Sequence, residues 1–216
     1  MPKFSKNTQE VKIPTKEKIE MIISACGKIT SLKLKISMET GVRPVELHNL
    51  LVKDVDLSQR IIYPSTAKHG APRKIKISQQ LTELIQAYLN KYQRKQNETL
   101  FRGNAIFYGR DFRETRNLLA KKLNDETLKN IRLYDLRHYF ATMDYHKYQD
   151  IKRTQYLMGH KHSSTTDIYT HLIDNGEESE YTCKTASNLK EATQLIENAF
   201  QYVTTIEGVQ LFKKRK

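Results

Sequence analysis

Polar residues fill the first dozen positions, after which Pro14-Thr15 opens a run in which Ile19, Ile22, Ile23 and Cys26 recur at helical spacing before Gly27. That period gives a helix one apolar stripe to bury. The next stretch, Leu32-Lys33-Leu34-Lys35-Ile36-Ser37-Met38, alternates strictly, and by period alone it reads as a strand. Pro44 suits a first helical position, and Val45, Leu47, Leu50 and Leu51 give a short helix a side to bury. Ile61-Ile62-Tyr63 and Lys74-Ile75-Lys76-Ile77 are β-prone runs separated by a loop with Gly70 and Pro72, which predicts a hairpin. Ser78 then caps a helix with Leu81, Leu84, Ile85, Tyr88, Leu89 and Tyr92 on one face. Further helices are predicted over about 111–123, 134–147, 150–158 and 164–172.

The rhythm changes after Leu172. Asp174 to Glu180 reads as an acidic linker, Tyr181-Thr182-Cys183 as a strand and Asn188 to Ala199 as a helix. Tyr202 to Thr205 and Val209 to Phe212 read as a hairpin turned at Glu207-Gly208. The predicted organisation is a flexible segment over 1–13, a domain over 14–175 and a β-α-β-β appendage over 176–216. The fold class is mainly α with a small antiparallel β-sheet (α+β). The basic run Lys213-Lys214-Arg215-Lys216 is expected to be a solvated terminus, or to touch a polyanion.

Charge narrows the partners. Lys and Arg total 37 against 24 Asp and Glu, a formal charge of +13, which favours a polyanion such as nucleic acid. A basic membrane-surface protein would share that charge, but no apolar run approaches the roughly 18 residues of a bilayer span. The N-terminus also lacks the apolar core of a signal peptide. The expectation is a cytoplasmic, nucleoid-associated protein with no membrane partner. Cys26 and Cys183 belong to no Cys-x-x-Cys pair or zinc spacing, so two reduced thiols and no metal site are expected. Cys26 reads as a small buried hydrophobe.

Breaking a phosphodiester without a metal needs cations around the nonbridging oxygens, an acid for the leaving oxygen and a nucleophile in line. Arginine is the preferred clamp, because its planar fork donates two hydrogen bonds and stays charged. Arg43, in Thr40-Gly41-Val42-Arg43-Pro44-Val45-Glu46-Leu47, sits at a helix start where free N–H groups also favour an anion, and Glu46 lies one turn on to orient the guanidinium.

The string T-G-V-R-P-V-E-L resembles the first arginine motif of the tyrosine recombinase (phage integrase) family, and Tyr134-Asp135-Leu136-Arg137-His138 resembles its second, H-x-L-R-H. Leu157-Met158-Gly159-His160 resembles the family's L-G-H, and Ser163 to His171 resembles the S-T-T-x-x-Y-x-H segment that carries its nucleophile. The motifs occur in family order, with His160 nine residues before Tyr169. The resemblance covers roughly 14–172, and the tail is similar to that of archaeal integrases. It implies the tyrosine recombinase catalytic-domain fold and makes the alternating segment 32–38 a helix.

By resemblance, Arg43 and Arg137 clamp the scissile phosphate and His160 donates a further hydrogen bond. Lys68, in Ala67-Lys68-His69-Gly70-Ala71-Pro72-Arg73, matches the hairpin lysine that protonates the departing 5′ oxygen. Tyr169 attacks phosphorus to give a 3′-phosphotyrosine, so rejoining needs neither ATP nor metal, and no cofactor is implied. Asp135 and His138 support the site, His138 from behind. His171 is accessory; His48, His146 and His162 are structural. The implied partner is double-stranded DNA at attachment sites, bound as a tetramer, with a monomer off DNA.

Two departures stand out. Tyr134 replaces the family's usual histidine, and a phenol titrating near 10 holds an oxygen well but serves poorly as a base. Only about 13 residues precede the first catalytic helix, where family members carry a core-binding domain; a fragment or a short form are both open. Singly, each site residue has an ordinary role, such as Tyr169 packing as one of 12 tyrosines. Two competing functions remain, a DNA-binding module that has kept the fold without the chemistry and a type IB topoisomerase-like enzyme that only relaxes strands.

Neutralising several phosphates releases condensed counterions, so duplex binding is expected to weaken by orders of magnitude between about 50 and 200 mM salt. A titration series showing a flat salt response would count against DNA as the main ligand.

Overall fold

A computed structural model describes residues 13–65, 70–170, 181–206 and 208–215. The chain divides into two compact units, residues 1–173 and 174–216. The first begins with helix α1 (Lys16–Ala25), capped by the Thr15 side chain, which accepts from Lys18 N; Ile19, Ile22 and Ile23 are its buried stripe. Cys26 is half-buried at its end, and burial pushes the thiol pKa up.

Helix α2 (Lys28–Thr40) takes in the strictly alternating segment. Its buried residues are Thr30, Leu32, Leu34, Ile36, Ser37 and Thr40. At 100° per residue these cover an arc of about 200°, so alternate positions fall inside a helix that is enclosed over more than half its girth. Helix α2 touches α1, α3 (Pro44–Asn49), α4 (Gln79–Tyr92), α5 (Ala105–Leu123) and α6 (Asp135–Tyr148). The two-residue period therefore reflects a central helix rather than a strand.

The 61–77 hairpin is present as β2 (Ile61–Ile62) against β3 (Ile75–Lys76), and a third short strand, β1 (Val55–Asp56), completes an antiparallel sheet of order β1-β2-β3. Ser78 caps α4 as expected and also donates from its hydroxyl to Glu39 Oε2 at 2.9 Å, tying the end of the hairpin to α2. Helix α5 starts at Ala105 rather than near 111, because Asn104 caps it while Ile106 and Phe107 stay exposed and give no stripe to read. Helices α6 and α7 (Ile151–Met158) fall where the pattern puts them, and Asp144 joins them by accepting from Thr154 Oγ1 at 2.9 Å and Arg153 Nε at 3.1 Å. The predicted 164–172 helix is different. Two 3₁₀ turns, Ser163–Thr165 and Asp167–Thr170, flank the fully buried Thr166, whose hydroxyl lies 3.0 Å from His160 Nδ1.

In the second unit β4 (Tyr181–Ala186), helix α8 (Leu189–Glu197), β5 (Gln201–Ile206) and β6 (Val209–Arg215) form an antiparallel sheet of order β4-β6-β5 with one helix. Its small core is Ala186, Ala192, Phe200 and Phe212. Lys213, Lys214 and Arg215 of the terminal basic run form the end of β6, with Lys213 and Lys214 paired to Cys183 and Thr182. The segments 1–12 and 171–180, with the linker and His171, lie outside the described residues. Among the described residues no helix is long and apolar enough to cross a membrane.

Gly41 ends α2 in the left-handed region at φ 61°, and a Cβ there would come within 2.3 Å of Cδ1 of the Phe140 ring of α6. Gly41→Ala combines overpacking with a left-handed backbone penalty, so it is expected to destabilise by about 2 kcal/mol or more. Urea denaturation checks this, and an unchanged midpoint would mean that α2 and α6 separate easily.

Candidate active site

Arg43 is the N-cap of α3, and Pro44 follows it at the first helical position. Glu46, one turn on, accepts from the Arg43 backbone N with Oε2 and from Arg43 Nη1 with Oε1, both at 2.8 Å. The Arg43 N–H is thus taken, and any anion there meets the guanidinium. Glu46 Oε2 also accepts from Arg73 Nη2 at 2.7 Å, and both side chains of that pair are fully buried. Burial alone would raise the Glu46 carboxyl pKa; the hydrogen bonds and charges of Arg73 and Arg43 outweigh it, and the pKa lies below the ordinary range.

Arg137 lies in the first turn of α6 and is 1% exposed. Its Nη1 donates to Gly41 O at 2.6 Å and its Nη2 to Met158 O at 2.5 Å. These carbonyls belong to the C-terminal ends of α2 and α7, where the helix dipoles present partial negative charge. Among the described residues no carboxylate pairs with Arg137. Burial, then the nearby Arg43 charge, depresses its guanidinium to about 10.

His160 follows Gly159, which ends α7 at φ 62°. Arg137 Nη2 lies 3.1 Å from His160 Nε2, and His160 Nδ1 lies 3.0 Å from Thr166 Oγ1. Arginine only donates, so Nε2 accepts, Nδ1 carries the proton, and the ring is neutral. Burial and then the charges of Arg137, Arg43 and Arg73 push this imidazole down to about 4.

Tyr169 is 2% exposed and packs with Ala141, Met158 and Phe140. Its hydroxyl is 3.0 Å from His138 Nδ1. Burial raises the phenol pKa, against the charge of Arg137. Tyr134 is more exposed, the N-cap of α6, with its ring edge-on to His138 at 5.1 Å. Asp135 binds Arg132, accepting from its backbone N at 2.8 Å and from Nη2 at 2.8 Å.

The fold therefore gathers Arg43, Glu46, Arg137 and His160 into one electrostatic cluster and sets His138 and Tyr169 in contact beside it. Lys68 and His171 lie outside the described residues. Two participants escaped the sequence reading. Arg73 shares the parity of Ile75 and Ile77, both buried, so strand alternation carried the signal that it points inward. It also faces Gly159, where a Cβ would come within 2.8 Å of Arg73 Nη1, and Ala71 N donates to Gly159 O at 3.3 Å. Thr166, which accepts from His160 Nδ1, is the second threonine of the S-T-T-x-x-Y-x-H segment, but that motif gave it no role of its own.

A helical domain with a small sheet, a buried arginine cluster, and a histidine and tyrosine beside it defines a tyrosine recombinase catalytic domain. The crystal structure of XerA recombinase superposes with a TM-score of 0.64 at 28% identity, covering 77% of this chain and 62% of that one. The XerH site-specific recombinase bound to difH substrate, in a pre-cleavage complex, superposes with a TM-score of 0.58 at 25% identity, covering 74% and 51%. The tyrosine recombinase XerA of Saccharolobus solfataricus is 30% identical over 174 residues, which are 80% of this chain and 56% of that protein. Residues 12–175 match the model of the phage integrase family, and the chain belongs to that family. It spans about half the length of the relatives it matches.

An unfolded imidazole takes up its proton near 6.5, whereas folded His160 does so only near about 4. Between these values the unfolded chain binds more protons, so this histidine makes stability fall as pH is lowered from 6.5 towards 4. His160→Asn is expected to lose less melting temperature than the wild type over that interval. Equal losses would show that His160 titrates freely in the fold.

Proposed function

We propose that this chain is the catalytic part of a site-specific recombinase that cuts and rejoins double-stranded DNA through a 3′-phosphotyrosine. The observation that carries the reading is the charge imbalance of the cluster. Of three neighbouring guanidiniums, Arg43 and Arg73 pair with the carboxylate of Glu46 and Arg137 has none of its own among the described residues, and a buried excess of positive charge is costly unless an anion is its partner. A phosphodiester supplies that anion, and the neighbouring Tyr169 supplies a nucleophile.

Arg43 and Arg137 then hold the nonbridging oxygens, and Glu46 and Arg73 keep the Arg43 fork in position. An anion beside His160 offsets the arginine charges that depress its pKa, so its Nε2 becomes able to carry a proton and donate to phosphate. Tyr169 attacks phosphorus, and the 5′ oxygen leaves with a proton from Lys68. Bond energy is kept in the phosphotyrosine, so rejoining needs neither ATP nor metal. Tyr134 contributes a hydroxyl at the rim. The support is the family membership, the charge imbalance and the adjacency of Tyr169 to the cluster. Assembly as a tetramer on paired attachment sites is part of the same proposal.

Incubation with nicked duplexes, which trap the covalent intermediate, tests the reading. Tyr169→Phe is expected to abolish the denaturant-stable adduct while leaving DNA affinity unchanged, since it removes one hydroxyl and no cation. Arg43→Ala is expected to slow adduct formation about 100-fold or more, the usual loss for a donor aimed at transition-state charge, and chelators should have no effect. An adduct that persists in Tyr169→Phe would move the nucleophile elsewhere.

A further inference from the structure

We infer that His138 is the base that takes the proton of Tyr169 as the phenol attacks phosphorus. This rests on the reading of Tyr169 as nucleophile and supplies the group that the reading leaves unassigned.

The hydroxyl lies 3.0 Å from His138 Nδ1, within direct proton-transfer reach. Among the described residues, the other candidate bases of the site are engaged. His160 has both ring nitrogens occupied, by Arg137 and Thr166. Glu46 is held by two arginines and Asp135 by Arg132. Tyr134, at the position where the family carries a histidine, is a phenol. It lies one turn before His138 on the same helix face and meets its ring edge-on.

The surroundings make His138 neutral. It is faced by Tyr169 from the 3₁₀ turn, by Tyr134 and Asp135 from its own helix start, and by the charges of Arg132 and Arg137. Burial depresses the imidazole below its ordinary value, and the two arginines add to this while Asp135 opposes it. A phosphate held by Arg137 offsets that repulsion, so His138 becomes a stronger base when substrate is present. Tyr169, whose own pKa is raised, does not ionise unaided at neutral pH and needs such an acceptor.

In the step itself the Tyr169 O–H bond breaks and its proton moves to Nδ1. The phenol oxygen forms a bond to phosphorus, the bond from phosphorus to the 5′ oxygen breaks, and that oxygen keeps the electron pair and takes a proton from the lysine acid. Rejoining reverses each transfer, with the imidazolium returning its proton to the departing phenolate.

The test is single-turnover adduct formation by the full chain on a pool of nicked duplexes of randomised sequence, across pH. His138→Gln keeps a hydrogen-bond acceptor and loses the titration. It is expected to slow the reaction about 10²- to 10⁴-fold, with DNA affinity unchanged and the acid limb of the wild-type profile lost. A duplex with sulfur as the 5′ leaving atom, which departs without an acid, is expected to restore Lys68→Ala and not His138→Gln. Wild-type rate and profile in His138→Gln, or its rescue by sulfur, would overturn the assignment. Nitrogen NMR of the wild-type imidazole gives an answer even if the variant does not fold: an unprotonated Nδ1 at neutral pH is expected, and a protonated one overturns the inference. If the wild type forms no adduct, the nucleophile reading falls and this inference with it; if only His138→Gln behaves as wild type, this inference falls alone.

Discussion

A guanidinium buried to 1% exposure, with no carboxylate of its own among the described residues, has to be met by well-aimed neutral acceptors. For Arg137 these are the carbonyls of Gly41 and Met158, at the C-terminal ends of two different helices. The partial negative charge of both helix ends is directed at one cation. This fixes where α2 and α7 stop relative to α6. It also explains why both helices turn off through a left-handed glycine, Gly41 against the Phe140 ring and Gly159 against Arg73. The positions of Arg43, just past Gly41, and of His160, just past Gly159, follow from that arrangement.

The same cation sets the protonation of its neighbours. His160 accepts from Arg137 and is therefore neutral, and His138 lies under the repulsion of Arg137 and Arg132. Glu46 is the counterweight, ionised between Arg43 and Arg73. Positive charge still exceeds negative in the cluster, so bringing in an anion changes the chemistry of two histidines at once. On the proposed function, substrate binding and proton movement would be coupled through this electrostatics, with no moving part required.

Much of this was legible in the chain. Arg43, Glu46, Arg137, His160 and Tyr169 stand in motifs whose order and spacing resemble one family, and α7, which leads to His160, is capped by Asp150 and ends at Gly159. What escaped was tertiary. Leu32 to Met38 alternates like a strand because α2 is enclosed over a wide arc, which no local window reveals, and only the family resemblance made it the helix that it is. Arg73 looks like a loop cation until the register of β3 puts it on the face of Ile75 and Ile77. The Tyr169 segment reads as a helix, but it forms two 3₁₀ turns on either side of Thr166, which is buried against His160. From the sequence His138 reads only as a support behind the site, because its distance to the tyrosine hydroxyl depends on how α6 meets that turn.

The central claim is that this electrostatic cluster serves a tyrosine that bonds covalently to DNA. Mass spectrometry of the nuclease- and protease-digested adduct, trapped on nicked duplex DNA, reads the attachment point directly. The account predicts a nucleotide 3′-phosphate on Tyr169. Attachment to any other residue, such as Tyr134 or Tyr181, or the finding of no modified peptide at all, would contradict it.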